Sequence, residues 1–210
     1  MAEPGLRDRK KARTRRLIAE TAARLFAERG YEQVTVSEIA RAAEVAEQTL
    51  YNYFPTKEQL VTDREQQIQQ QLIDLIRARP AGISPAVAIR DFVLQTVSAI
   101  RDMPPENARG NLGYLAAISP AVNRLALEMT DRQAAALTTV ISETSPIAPE
   151  IARLQGIALA GLFQILISES GRRARDGQAP AEIADSLYPQ IENVLAELDR
   201  WLTPASATRG

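Results

Sequence analysis

Apolar positions recur every three to four residues along almost the whole chain, and few stretches alternate with period two. That spacing predicts helices throughout and an all-α fold. Ile18, Ala22, Leu25 and Phe26 share one helical face, which Gly30 closes. A second short helix carries Val36, Ile39, Ala40 and Ala43, with Thr35 as its N-cap and Glu38 completing a capping box. Val34 and Ile39 are spaced for the accompanying hydrophobic staple. After Glu44-Val45-Ala46, a third helix of about two turns places Leu50 and Phe54 inward with Tyr53 beside them, and Pro55 ends it. Thr56 and Gln59 read as another capping box, opening a long fourth helix that ends near Arg79, before Pro80 and Gly82.

The remainder reads as further helices. Ser84-Pro85 and Ser119-Pro120 each pair an N-cap with an N1 proline, opening helices that end near Arg101 and Glu143. MPPENARG reads as a loop, and Leu112 to Ala117 as a short helix. Beyond SETSPIAP, helices run from Pro149 to near Arg175 and from Pro180 to near Leu202, with Gly177 between them and Pro189 as a kink. The expected architecture is an N-terminal three-helix helix-turn-helix domain followed by a larger helical domain, about nine helices in all. The expected boundaries are a flexible basic arm at 1–12, the helix-turn-helix domain at 13–58, the larger domain at 59–203 and a disordered tail at 204–210.

Charge changes this picture at one end. The net charge is −1, yet the ten residues from Arg7 to Arg16 hold seven bases and a single acid, Asp8. Beyond residue 58 there are 17 acids and 14 bases. A basic end on a mildly acidic body points either to a polyanion partner for that end or to a solvated arm. Arg13, Arg15 and Arg16 are the arm residues expected nearest such a partner.

Composition excludes much chemistry. Cysteine and histidine are both absent, which removes disulfides, thiolate nucleophiles, His-containing triads and nearly all zinc sites. Asp74, Glu106 and Glu169 form no motif with catalytic spacing, so no enzyme, cofactor or metal site is expected. The N-terminus has no apolar signal core, and the run Ile157–Ile167, interrupted by Gln164, is short for a membrane span. A cytoplasmic protein without membrane contact is the expectation.

On the third helix Gln48 and Asn52 point away from the Leu50–Phe54 seam, flanked by Thr49 and Tyr51. Amide, hydroxyl and phenol groups bond to base edges and phosphates. The stretches ARLFAERGYEQVTVSEIARAAEV and TLYNYFPTKEQL resemble the DNA-binding domain of TetR-family transcriptional regulators. The resemblance implies that the third helix reads DNA through Glu47, Gln48, Thr49 and Asn52. It implies phosphate contacts from Tyr51, Tyr53, Lys57 and Thr35. A helix N-terminus such as that at Thr35 also attracts anions in its own right. Lys57 stands in the first turn of a helix, where a cation is disfavoured and another use is implied. Two positions depart from the family pattern: Glu44 stands where many members have glycine, and Ala46 where many have serine. Glu47 either accepts from cytosine N4 or repels phosphate.

For the larger domain the resemblance implies a homodimer built on the last two helices and a small-molecule effector. The helix after Pro149 is apolar on all sides over Ile157–Ile167, with Gly156, Ala160 and Gly161 permitting close approach. The last helix offers Ile183, Leu187, Ile191, Val194, Leu195 and Leu198 to the same partner; the alternative for the apolar helix after Pro149 is a core helix wrapped fully within one chain. Thr96, Gln133 and Gln164 each interrupt an apolar face, and buried polar groups need partners. Each either bonds nearby backbone or lines a pocket with Phe92, Tyr114 and Met129 for a largely apolar, neutral ligand. The expected function is a ligand-responsive transcriptional repressor on a palindromic double-stranded DNA operator. The alternative is a DNA-binding regulator whose body only dimerises or holds a protein.

Overall fold

A computed structural model describes residues 5–63 and 65–203. Among these residues the chain forms eleven helices. The expected tail at 204–210 and residues 1–4 of the expected arm lie outside the described residues.

The first helix, α1 (Leu6–Arg29), starts earlier than expected. Residues 6–12, expected to be a flexible arm, continue it, because Arg, Lys and Ala are strong helix formers and nothing between Leu6 and Ile18 breaks the turn. Next come α2 (Val36–Ala42) and α3 (Glu47–Tyr53). The expected long fourth helix is two helices, α4 (Lys57–Val61) and α5 (Glu65–Ala78). Thr56 makes no side-chain cap for α4, contrary to the capping-box expectation. The break at Thr62-Asp63 serves a tertiary contact, since Asp63 accepts from Arg15 Nε at 2.7 Å. The same guanidinium donates to the Tyr53 carbonyl at 2.8 Å and lies 4.4 Å from the centre of the Phe54 ring.

Ile18, Ala22, Phe26, Val34, Ile39, Leu50, Phe54 and Leu60 form the core of this N-terminal unit. Leu115 and Val122 from the body are members of the same core, so the two units share packed apolar surface. The body comprises α5, α6 (Pro85–Arg101), α7 (Pro105–Gly110), α8 (Leu112–Ile118), α9 (Pro120–Thr144), α10 (Pro149–Arg175) and α11 (Pro180–Leu202). α7 replaces the loop expected at MPPENARG; a proline in the first turn is compatible with helix there. Ser84 and Ser119 cap α6 and α9 as expected, accepting from the Val87 and Val122 backbone N–H groups.

The last helix departs from expectation. Ile183, Leu187, Ile191 and Leu195 are buried in the chain's own core, with Val194 and Leu198 packed against it. α6 supplies much of that cover, running antiparallel to α11. Ser84 donates to Asp199 at one end, Arg90 pairs with Glu192, and Arg101 pairs with Asp185 at the other end. Ala160 of α10 is likewise fully buried within the chain. α10 is long and apolar enough, by length and composition, to cross a membrane, which the run Ile157–Ile167 alone did not imply. One side of it, including Leu159, Leu162, Phe163 and Leu166, is nevertheless packed into the chain's core. Its other side leaves Ile151, Leu154, Ile157 and Ile165 exposed.

Candidate nucleic-acid interface

The α2–α3 turn is built as expected at one end and under strain at the other. Thr35 Oγ1 accepts from the Glu38 backbone N–H, and the Glu38 carboxylate accepts in return from the Thr35 N–H at 2.8 Å. The Thr35 hydroxyl itself also donates to that carboxylate. The Thr35 backbone bond, then Arg29 and the Thr35 hydroxyl, hold the Glu38 carboxyl down at about 2. Both Thr35 donors are thus committed to Glu38, so at this helix start a phosphate would meet the free N–H groups of the first turn before any Thr35 donor.

At the far end of α2 the Glu44 N–H bonds to the Arg41 carbonyl and the Val45 N–H to the Ala40 carbonyl. This pair of bonds is a Schellman motif, whose next-to-last position calls for a left-handed residue. Glu44 occupies it with φ 55°, the one described non-glycine residue at positive φ. The departure from glycine noted in the sequence is therefore a strained backbone position, costing of order 1–2 kcal/mol. Ala46 then starts α3 with no side-chain cap.

α3 seats Leu50 and, just past its end, Phe54 fully in the core. On its outer side Glu47, Gln48, Tyr51 and Asn52 are exposed and Thr49 half-buried. Gln48 Nε2 donates to Asn52 Oδ1 at 3.3 Å, which aligns two amides one turn apart on the open face. Tyr53 is half-buried against the core. Five of the eight expected DNA contacts therefore share one accessible surface.

Lys57 does not join them. Its ammonium donates to the Tyr31 carbonyl and lies 4.2 Å from the Tyr31 ring centre and 5.7 Å from that of Phe26. Burial pushes its pKa down. The use inferred for a cation in that first turn is thus met inside the protein. Arg15 is likewise turned inward, onto Asp63, Tyr53 and Phe54. Three other cations border α3: Arg7, Lys10 and Lys11 of α1, with Thr14, form one wall of a wide cleft, and Glu44, Val45, Ala46, Thr49 and Tyr53 the other. The i, i+3, i+4, i+7 spacing of these four was visible in the sequence, but reading the segment as an arm concealed it.

The expected ligand residues do not converge. Phe92 packs against the body core and Tyr114 against the N-terminal core. Thr96 donates to the Phe92 carbonyl one turn back, the backbone partner that a buried hydroxyl needs. Gln133 Nε2 is buried with no hydrogen-bond partner, and Met129 is half-buried on the same helix. Gln164 lines a cleft between α8, α9 and α10.

Residues 18–63 match the bacterial regulatory proteins of the tetR family. This N-terminal domain belongs to the tetR family. The match ends at Asp63, the residue that closes onto Arg15. The chain is 35% identical over 109 residues to the HTH-type transcriptional regulator TcmR of Streptomyces glaucescens, covering 52% of this chain and 48% of TcmR. It is 34% identical over 76 residues to the HTH-type regulator YuxN of Bacillus subtilis (strain 168), covering 36% of this chain and 26% of YuxN. The matched stretches thus span half or less of these curated relatives. The whole fold is similar to a crystal structure of NalD, the secondary repressor of the MexAB-OprM multidrug efflux pump in Pseudomonas aeruginosa. That similarity has a TM-score of 0.58 at 20% identity and covers 92% of this chain and 98% of NalD. The tetR-type architecture, a helix-turn-helix domain on a helical body, therefore extends through the chain.

Proposed function

We propose that the chain is a transcriptional regulator, in the cytoplasm, that binds a palindromic DNA operator as a homodimer and represses until a small molecule releases it. The observation that carries this reading is the outer face of α3. Glu47, Gln48, Tyr51 and Asn52 stand exposed on a short helix whose inner face is locked by Leu50 and Phe54. A rigid helix presenting amides and hydroxyls suits the major groove.

Support for a dimer comes from α10. Leu154 and Ile157 are 50% and 49% exposed, beside Ile151 and Ile165. Gly161, in the same stripe, has no atom near the place a Cβ would occupy, so nothing within the chain requires glycine there. A second copy of α10 packed across a two-fold axis would use both features. Because the α11 stripe is spent on α6, α10 would dominate the interface.

Selection from a random duplex pool with the full chain tests this reading. Enrichment of an inverted repeat with half-sites about one helical turn apart is expected. A pool that stays random would contradict it.

A further inference from the structure

Gln48 and Asn52 stand one turn apart on α3, both exposed, and Gln48 Nε2 donates to Asn52 Oδ1 at 3.3 Å. Neither side chain makes another hydrogen bond among the described residues. Cβ atoms at i and i+4 on a helix are about 5–6 Å apart, so the bond draws two amide heads together that could otherwise reach separate base pairs. An amide carries one carbonyl acceptor and two N–H donors. With one bond made between them, Gln48 still offers its carbonyl oxygen and Asn52 its amino group. If both amides turn over, the roles exchange and the outward set stays the same, one acceptor beside a donor.

In the major groove one base matches that set. Adenine presents the N7 acceptor and the N6 amino donor on a single edge. Guanine presents two acceptors, cytosine a donor, and thymine an acceptor with a methyl group. The commonest specific contact, a cation on guanine, has no source on α3, whose sequence EQTLYNY includes no Lys or Arg. Arg7, Lys10 and Lys11 border α3 on its Thr49–Tyr53 side, about 100° around the helix from the amides. That flank sets them at the groove edge, beside phosphate, when the amides face the bases.

We infer that Gln48 and Asn52 act as one unit that reads a single adenine in each operator half-site, one amide accepting from N6 and the other donating to N7. The inference rests on the regulator reading above and names the base that its reading helix selects. The mutual bond orders the two side chains before DNA arrives, which lowers the entropy lost on binding.

Anisotropy titrations of the full chain on the inverted repeat enriched by duplex selection test this assignment. One A·T position in the half-site should be sensitive to both atoms of its adenine. Purine there, which lacks the N6 amino group, and 7-deazaadenine, which lacks N7, should each weaken the native chain by about fivefold or more. Gln48→Ala and Asn52→Ala should lose discrimination at that same position, and the double variant should lose no more than about twofold beyond either single one. The assignment would be overturned by variants that relax two different base pairs, or by a double-variant loss equal to the product of the single losses. A shared position that holds G·C, or native binding indifferent to either analogue, would also overturn it. The analogues change only the DNA, so their readout is independent of any effect of substitution on folding. Such results on an enriched inverted repeat would sink the adenine assignment alone, whereas a pool that stays random would sink the regulator reading with it.

Discussion

Lys57 donates its ammonium proton to the backbone carbonyl of Tyr31 and stands 4.2 Å from the centre of that residue's ring. The bond ties the start of α4 to the chain leaving α1, so this lysine holds the reader domain together. Lys57→Ala should lower stability by about 1–2 kcal/mol in urea denaturation, from one lost charged hydrogen bond and a cation–π contact. The slope of log affinity against log salt for duplex DNA should stay unchanged. A slope shallower by about one, with stability intact, would make Lys57 a phosphate contact instead.

The basic face of α1 should carry the salt dependence. Replacing Arg7, Lys10 and Lys11 together by Gln should make the salt slope shallower by about two to three. An unchanged slope in electrophoretic titrations would remove that face from the interface.

Glu44 offers a gain in stability. Glu44→Gly should raise the melting temperature, because relief of about 1–2 kcal/mol of left-handed strain exceeds the entropy glycine adds to the unfolded chain. Glu44→Ala keeps the strain and should show no rise. Equal behaviour of the two variants would mean that charge, rather than backbone, sets the cost at this turn.

Glu38 should make stability depend on acid. Its folded pKa, about 2, lies below the ordinary 4.5, so the folded state favours the carboxylate. The associated stability is fully present above pH 4.5 and is lost as pH falls from there toward 2. Glu38→Gln should flatten that part of the stability–pH curve. A curve that keeps its wild-type slope would assign the acid sensitivity elsewhere.

The two sides of α10 should respond differently to charge. Ile157→Glu, on the open side, should give folded monomers by sedimentation. Ala160→Glu should unfold the chain, because Ala160 is fully buried inside it. Folded dimers of Ile157→Glu would move the interface off this face.

Much of the fold was legible because it follows from local chemistry. The capping box at Thr35 and Glu38, the Ser-Pro starts of α6 and α9 and the Leu50–Phe54 seam are set by residues within a few positions of one another. The break between α4 and α5 was not legible, since it accompanies a contact between Asp63 and Arg15, 48 positions apart. Periodicity also reveals an apolar face without naming its cover, and so the α11 stripe was assigned to a partner while α6 covers it. At the candidate interface, the outward direction of Gln48 and Asn52 followed from helix geometry. The inward turns of Lys57 and Arg15 depend on aromatic rings and a carbonyl brought near only by the fold.

The central claim is that the exposed amides of α3 read base sequence. Its most direct test is the ratio of affinities for the selected duplex and a scrambled one, measured for the native chain, Gln48→Ala and Asn52→Ala at one salt concentration. The account predicts that each variant loses about 1–3 kcal/mol of discrimination while binding to the scrambled duplex stays nearly unchanged. Equal loss on both duplexes, or an unaltered ratio, would contradict it.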